Sequence, residues 1–151
     1  MLLTLSGHDA TNRVRQPYQK RNLSGMGSDT FGRVRKIALS FPDVNERLSH
    51  GEPCYFIQDK RPLCYYHDEH NDDGRVSLWC PVPDGMQQEL VAIDPARFFA
   101  PPTSTRGVFS GWVGIYLDVA TVDWTELAEI LDESYRFIAP KRLVAELDRR
   151  R

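Results

Sequence analysis

The sequence has few cysteines and no long apolar run. Its three cysteines, Cys54, Cys64 and Cys80, are odd in number and never spaced as C-x-x-C. This pattern fits neither a disulfide framework nor a zinc ribbon, and it is typical of a reduced cytoplasmic protein in which cysteine packs as a small hydrophobe. No stretch reaches the length of a bilayer span, so we expect no membrane-spanning segment.

The sequence also lacks an excess of positive charge. Nineteen Lys and Arg stand against 21 Asp and Glu, which gives a formal net charge of −2. Proteins that bind nucleic acid or anionic membranes in general usually carry a basic excess. The composition therefore argues against a general polyanion binder and leaves a local basic patch open.

The chain divides at about residue 27. Residues 1–27 are rich in Ser, Gly, Asn, Gln and Arg and have no apolar period, so we predict a disordered tail. The short apolar start has no basic flank before it, and a signal peptide is not expected. Residues 28–151 have the length of one domain with a core of its own.

The clearest local pattern lies between Thr121 and Leu147. Asp123 and Glu126 have the spacing of a capping box, with Val122 and Leu127 as its hydrophobic staple. An apolar stripe with the 3.6-residue period of a helix follows: Trp124, Leu127, Ala128, Leu131, Tyr135 and Ile138. Pro140 stops or kinks this helix, and one or two further helical turns follow it.

Weaker patterns precede this helix. A first helix is predicted from Ser28 or Asp29 to about Leu39, with an apolar stripe of Phe31, Val34, Ala38 and Phe41. Three strands, 54–58, 63–67 and 75–80, read as an antiparallel meander, and Pro62 places its strand at an edge or begins it after the ladder.

The region between the meander and the long helix gives mixed signals. A short helix to Ile93 is predicted, with Asp84 and Gln87 as cap partners and Met86, Leu90 and Ile93 facing inward. An irregular connection with one short strand follows to Gly111. Residues 112–118 then alternate as a further strand, with Trp112, Gly114 and Tyr116 on one face. This order favours an α+β fold, an antiparallel sheet with helices on one face.

Several short strings occur together in one order across about residues 30–147. They are Ala38–Val44, Ser49–Pro53 followed by Tyr55 and Phe56, Lys60 at a hairpin tip, Trp112–Asp118, Glu133–Tyr135 and Ala139–Leu143. In this order they resemble the MmcQ/YjbR family. The resemblance implies a two-layer α+β fold with a curved antiparallel sheet, similar to the secretion-chaperone-like and CyaY-like arrangements. It also implies DNA binding, a label that rests on analogy to a double-wing module.

The chain departs from the family pattern at two places. The hairpin tip reads Asp59-Lys60 where Gly-Lys is usual, and aspartate tolerates the left-handed conformation that such a turn needs. The loop from His67 to Gly74 is longer and more acidic than the family pattern, which weighs against DNA contact from that loop.

Six cations are candidate nucleic-acid contacts: Arg33, Lys36, Lys60, Arg61, Lys141 and Arg142. A two-stranded wing with a basic tip can enter a groove or follow phosphates. The alternative is that these cations are solvated surface residues. Nearby acidic residues, Asp59, Asp68, Glu69, Asp72 and Asp73, oppose phosphate.

Three further residues are candidate ligand contacts. Trp112 and Tyr116 on one strand face can line a pocket or stack on a base, although packing beneath a helix is the interpretation we prefer. His50 either binds a ligand or orders the entry to the first strand. The loop 67–73 holds imidazole and carboxylate groups that suit Zn, Ni or Mn, but a solvated hairpin loop explains them equally, and no metal site is assigned.

Together these features predict a non-enzymatic binding module in the cytoplasm, a monomer or weak dimer, with DNA as the partner implied by the resemblance. The alternative is a protein-interaction or small-ligand module without nucleic-acid binding. A basic strip across the hairpin and first helix would favour DNA, and an exposed apolar patch on the sheet would favour the alternative. No nucleophile and base are placed by a motif, so neither an enzyme nor a cofactor is expected.

Overall fold

The computed structural model describes residues 26–69 and 74–151, where four helices and a six-stranded antiparallel sheet form the α+β fold that the sequence predicts. The elements in chain order are α1 Met26–Leu39, β1 Val44–Ser49, β2 Glu52–Ile57, β3 Arg61–Asp68, β4 Val76–Cys80, α2 Met86–Ile93, β5 Phe98–Phe99, β6 Val113–Tyr116, α3 Trp124–Ile138 and α4 Lys141–Arg149. The strand order is β1-β2-β3-β4-β6-β5. The predicted tail, up to residue 25, and residues 70–73 of the acidic loop lie outside the described residues.

The meander has four strands, not the three predicted from the sequence. The additional strand is β1, which pairs with β2 from Val44↔Ile57 to Ser49↔Glu52. Its sequence VNERLS contains Asn, Glu and Arg, which are weak strand formers, and five of its six residues are only half-buried. Its edge position explains why such a polar segment forms a strand.

Two tight turns connect the first three strands. His50 and Gly51 both have positive φ, 55° and 82°, and join β1 to β2. At the next turn Gln58 and Asp59 have φ of 56° and 57°, and the Lys60 N–H donates to the Ile57 carbonyl at 3.0 Å. Such mirror-image turns match the right-handed twist of a hairpin. Asp59 thus takes the left-handed conformation that the sequence allows.

Pro62 is the second residue of β3, which is not an edge strand, but the ladder of β3 with β4 covers only residues 65–68, so Pro62 has a paired strand on one side alone. The register of β2 with β3 shifts between Tyr55 and Phe56, and Pro62 pairs with Phe56 just beyond the shift. An irregularity of this kind accommodates a residue that has no N–H for the ladder.

The core fills the space between the sheet and the helices α1, α3 and α4, the last of which buries Leu143 and Leu147. All four residues of the predicted α1 stripe are buried, and α3 buries Leu127, Leu131 and Tyr135 of its stripe together with Ile130 and Ser134. The Tyr135 ring stacks on Phe41 at 5.0 Å, and its hydroxyl donates to the Pro42 carbonyl at 2.7 Å. Each buried side chain of this size contributes roughly 1.5–3 kcal/mol to folding.

Only one of the two hydrogen bonds of the predicted capping box of α3 is present. The Asp123 carboxylate accepts the Glu126 N–H at 3.0 Å, as predicted. The Glu126 carboxylate does not return to Asp123; it accepts from Arg97 Nη1 at 2.5 Å. The helix ends at Ile138, and α4 begins directly after Pro140 as a separate helix.

Helix α2 differs from its prediction at both ends. No side chain caps its start, because the N-cap residue is Gly85, and Gln87 donates to the Trp112 carbonyl at 2.5 Å. Ile93, expected to face inward, is 76% exposed at the last helical position. Met86 and Leu90 do pack against the core, as predicted.

Within the described ranges, none of the helices is both long enough and apolar enough to cross a lipid bilayer.

Candidate binding surfaces on the two sides of the sheet

Four of the six predicted nucleic-acid contacts lie at one corner of the molecule. Arg61 Nη1 donates to the Ile138 carbonyl at 2.7 Å, which fixes the tip of the β2–β3 hairpin against the end of α3. Lys141 and Arg142 are the first two residues of α4, which begins directly after Pro140. We call Lys60, Arg61, Lys141 and Arg142 the basic corner.

The basic corner is exposed and carries uncompensated charge. All four side chains belong to exposed residues. In the part of the chain that the structure describes, no carboxylate lies within ion-pair distance of Lys60, Lys141 or Arg142. The tip carboxylate, Asp59, turns toward β1 and accepts from Arg47 Nε at 2.7 Å, and this bond lowers the pKa of Asp59.

The other two predicted cations lie elsewhere. The Arg33 guanidinium is 4.8 Å from the ring centroid of Trp124, at the first residue of α3. The length of α3 separates this residue from Ile138, a distance of about 21 Å at the helical rise of 1.5 Å per residue. Lys36 is exposed on α1. Arg33 therefore lies near the end of α3 opposite to the basic corner.

An acidic groove lies between these two groups of cations. It has a volume of about 680 Å³, and its lining combines apolar residues, which include Ile37 and Ala128, with Arg151 and three carboxylates: Glu129, Asp132 and Glu133. Asp132 pairs with Arg136 and Arg151, so Glu129 and Glu133 supply the negative charge that opposes a phosphate backbone along α3.

The opposite side of the sheet carries a layer of aromatic rings. The face is defined by the pleat, since Tyr65 pairs with Trp79 and Trp79 with Gly114 across three neighbouring strands. We call the following six residues the aromatic face: Tyr65, Trp79, Phe99, Phe109, Trp112 and Tyr116. Trp79 is buried and the other five are half-buried.

Phe109 occupies the centre of the aromatic face. Its ring centroid is 5.6 Å from that of Tyr65, 5.2 Å from Trp79 and 5.0 Å from Trp112, at interplanar angles of 79°, 79° and 80°. Edge-to-face contacts at this distance are favourable because the positive edge of one ring meets the negative face of another. Three rings thus surround the ring of Phe109.

The structure corrects the preferred interpretation of Trp112 and Tyr116. The two residues share a face, as the alternation predicts, but that face is turned away from the helices. Trp112 packs on Phe109 and Tyr65, while Tyr116 stacks on Phe99 at 4.5 Å. Gly114 lies between them and leaves room for the ring of Phe99, which a Cβ at that position would overlap.

Two arginines lie at the edges of the aromatic face, on the side of the sheet away from α1 and α3, and each pairs with a carboxylate. The Arg47 guanidinium lies 3.7 Å from the Phe56 ring centroid and pairs with Asp59. The Arg75 guanidinium lies 3.6 Å from the Tyr116 ring centroid and pairs with Asp118 at 2.8 Å. Burial raises the pKa of Asp118, but Arg75 and the Val76 N–H outweigh it, so the pKa lies below its ordinary value. The flanks of the aromatic face are therefore close to neutral.

The predicted ligand contact His50 is an exposed turn residue. It occupies the first position of the β1–β2 turn, where its backbone is left-handed. A different histidine is buried on the open side: His67 is 4% exposed, and its Nδ1 lies 2.6 Å from Glu52 Oε1. No sequence motif distinguishes His67 from the loop residues that follow it.

The cysteines lie in the interior, as predicted. Burial raises the pKa of the Cys64 thiol well above its ordinary value and that of Cys80 to about 12. A thiol held in its neutral form is a poor nucleophile. Among the described residues, no group of three or more His, Cys, Asp or Glu side chains is arranged to hold a metal ion.

Tyr65, Trp79 and Phe109 were missed by the sequence-based search for site residues. Strand alternation indicates that Tyr65 and Trp79 share a side of the sheet, but only if the register of three strands is known. Phe109 lies in an irregular segment, and no local pattern shows that its side chain returns to the sheet.

Comparisons with known proteins identify relatives of this fold. A family model described as YjbR matches residues 39–137, more than half of the chain. Among solved structures, the protein DR2400 of Deinococcus radiodurans, described as a DUF419 domain, is similar with a TM-score of 0.56 and 18% sequence identity. The similarity covers 72% of this chain and 77% of DR2400, and at this identity it supports the fold alone. The search of curated proteins finds no match.

Proposed function

Because the chain belongs to the YjbR family, we propose that it is a non-enzymatic binding module whose partner is DNA, contacted at its phosphates by the basic corner. The observation that carries this proposal is the bond from Arg61 to the Ile138 carbonyl, because it holds four of the six predicted cations together. Phosphate contacts supply affinity and orientation without reading sequence. The proposal therefore concerns backbone binding and names no target sequence.

The charges near the corner support phosphate binding there better than elsewhere. Arg47, Arg75, Arg97 and Arg136 already pair with carboxylates. Lys60, Lys141 and Arg142 keep their charge available, and the N-terminal end of α4 adds the positive end of a helix dipole. A site of about four cations predicts modest affinity, since each contributes through release of counterions from the nucleic acid.

The test is DNA binding by the full-length chain, measured by fluorescence anisotropy of a labelled duplex across a salt series. Four phosphate contacts predict a slope of log K against log salt of about −3.6. The double variant Lys60→Ala/Lys141→Ala should bind more weakly at every salt concentration, with a slope less steep by about 2. Arg61 is left intact, because its bond to the Ile138 carbonyl holds the corner together.

A matched control is available on α1. The double variant Arg33→Ala/Lys36→Ala removes the same charge at residues outside the basic corner. We expect this control to bind like the parent chain. An equal loss in both double variants would show a response to net charge alone and would contradict a localised site. Absence of binding at low salt would remove DNA as the partner.

A second candidate, a protein-interaction or small-ligand module, is favoured by a separate observation. Five half-buried aromatic rings share the open side of the sheet. Solvent-facing aromatic residues are enriched where proteins meet their partners. This candidate does not depend on salt or on the basic corner.

A further inference from the structure

We propose that the aromatic face is a second binding site, which takes a Phe-sized aromatic side chain from a polypeptide partner in the position that Phe109 now fills. The proposal goes beyond DNA binding and uses different residues on the other side of the sheet. The one occupant that the structure shows in this position is itself a phenylalanine, so the shape of the site is defined by the ring it holds.

Two walls of the site belong to the sheet, and the third lies at the start of β6. Tyr65 and Trp79 are neighbouring residues on paired strands, β3 and β4. Trp112 directly precedes β6, and its carbonyl accepts a hydrogen bond from Gln87 of α2 at 2.5 Å. The positions of Tyr65 and Trp79 therefore follow from the sheet, whereas Trp112 lies where the loop joins β6 and is held by Gln87 and by the bond from its N–H to the Phe109 carbonyl.

The ring of Phe109 belongs to a segment that is separate from the sheet ladder. Gly107 N–H donates to the Ser104 carbonyl at 2.9 Å, Ser110 N–H to Gly107 at 3.0 Å, and Trp112 N–H to Phe109 at 3.1 Å. The Ser104 hydroxyl accepts two more N–H groups of the same segment, from Arg106 and Val108. These bonds begin and end within residues 104–112. Rotation of Phe109 out of the site leaves every strand-to-strand hydrogen bond in place.

The charges around the site favour a neutral ring over a nucleic-acid strand. Arg47 and Arg75, at the two flanks, are paired with Asp59 and Asp118 and are poor phosphate contacts. The surrounding rings meet Phe109 with their planes nearly perpendicular to its own. Binding of single strands uses ring faces that stack parallel on successive bases, together with a basic groove. A phenyl or phenol side chain matches the observed arrangement better.

The first test measures whether a peptide binds in the site after the side chain of Phe109 has been removed. In full-length Phe109→Ala, the probe is a synthetic peptide of residues 102–111, PTSTRGVFSG, and the control peptide carries Ala in place of its Phe. Tryptophan fluorescence reports binding because Trp79 and Trp112 line the site. We expect the Phe peptide to bind about tenfold tighter than the Ala peptide, in line with the burial and edge contacts of one ring. The parent chain should bind it more weakly, because its own Phe109 competes.

The walls and the fold are controlled separately. Adding Trp112→Ala to Phe109→Ala removes one wall and should abolish the preference for the Phe peptide. Should Phe109→Ala fail to fold by far-UV circular dichroism, Phe109→Leu takes its place, since leucine keeps the loop apolar and lacks a ring. Equal binding of the two peptides by a folded variant would overturn the proposal.

The second test concerns the class of partner. A random dodecapeptide library selected on the immobilised full-length parent chain should be enriched in Phe, Tyr or Trp, and the enrichment should vanish on Trp112→Ala. Binding should persist in high salt and in Lys60→Ala/Lys141→Ala, which separates this site from the basic corner. A library without aromatic enrichment would overturn the proposal. So would quenching of tryptophan fluorescence by oligothymidylate that depends on Trp112, because bases would then be the occupant.

Discussion

The two faces of the sheet are covered by different means. Helices α1 and α3 cover one face with side chains such as Val34 and Leu131, both 0% exposed. The other face is covered by rings of its own strands and by Phe109 from a loop, and most of these rings keep part of their surface in water. Aliphatic side chains packed under helices remove nearly all of their apolar surface from water. A half-buried aromatic layer keeps part of its apolar surface available for contact with solvent or a partner.

The largest expected effect lies on the helix face. Leu131→Ala removes a fully buried side chain of α3 and leaves a cavity, so the free energy of unfolding should fall by about 3 kcal/mol. Urea unfolding followed by circular dichroism measures the loss. Phe137→Ala on the same helix is the control, because this side chain is 51% exposed and its loss should cost less than about 0.5 kcal/mol. Similar losses in both variants would contradict the assigned burial.

The next effect tests the packing of the aromatic face. Gly114→Ala places a methyl group in the ring of Phe99 and should lower the free energy of unfolding by about 2 kcal/mol, with a changed near-UV circular dichroism signal. Phe99→Ala removes the obstructing ring. In the double variant the two losses should not add, because the overlap is gone. Additive losses would mean that Gly114 serves a purpose other than making room for Phe99.

A smaller difference in stability is expected when one tyrosine hydroxyl is removed from each face of the sheet. Tyr135→Phe leaves the Pro42 carbonyl without its donor inside the core, and the free energy of unfolding should fall by about 1–2 kcal/mol. Tyr116→Phe is the matched change on the aromatic face, where the ring stays stacked on Phe99 and the hydroxyl belongs to a half-buried residue. It should cost less than about 0.5 kcal/mol, and a reversed order would contradict the comparison.

The smallest effect is a dependence on pH at the flank of the aromatic face. The pKa of Asp118 is lower in the folded chain than in the unfolded one, where it is about 3.9. Its stabilising contribution is therefore fully present above that unfolded pKa and is lost as the pH falls through the lower folded pKa. Asp118→Asn should flatten the acid limb of the unfolding free energy below the unfolded pKa of about 3.9.

This pH effect has a control among the other carboxylates. Asp94 and Asp148 also have lowered pKa values because they accept hydrogen bonds from Arg97 and Arg136. The acid limb should therefore become shallower in Asp118→Asn without disappearing. Superimposable pH profiles of the variant and the parent chain would show that the bond from Arg75 contributes nothing to stability.

The helix face could be predicted from the sequence because helical periodicity is a local signal. The helical spacing predicted that Leu127, Leu131 and Tyr135 face the core, and all three are buried. The strand alternation predicted that Trp112 and Tyr116 lie on the same side of the sheet. The orientation of that side could not be predicted. A strand with one apolar side and one aromatic side gives no local sign of which one meets the helices.

The candidate sites were predicted unevenly for the same reason. The candidate cations could be identified from the sequence by residue type. Their grouping at the basic corner could not, because it depends on a contact between Arg61 and Ile138, which are 77 positions apart in the sequence. Strand β1 was not predicted because its sequence contains Asn, Glu and Arg, which have low strand propensity. Such polar residues are tolerated in β1 because it is an edge strand with only one neighbour. Phe109 depends on a long-range contact from an irregular segment, which neither spacing nor composition encodes.

The strand order has a consequence for the order of folding. Strands β1 to β4 pair with their immediate neighbours in sequence, so each pairing closes a short stretch of chain. Such local pairings form quickly, whereas α3, which covers the same strands, is translated more than forty residues after β4 ends, roughly 2–9 seconds later at ordinary synthesis rates. During that interval the apolar side of the nascent meander has only α1 to cover it. A chain that stops before α3 would expose a row of apolar strands, and aggregation is its expected fate.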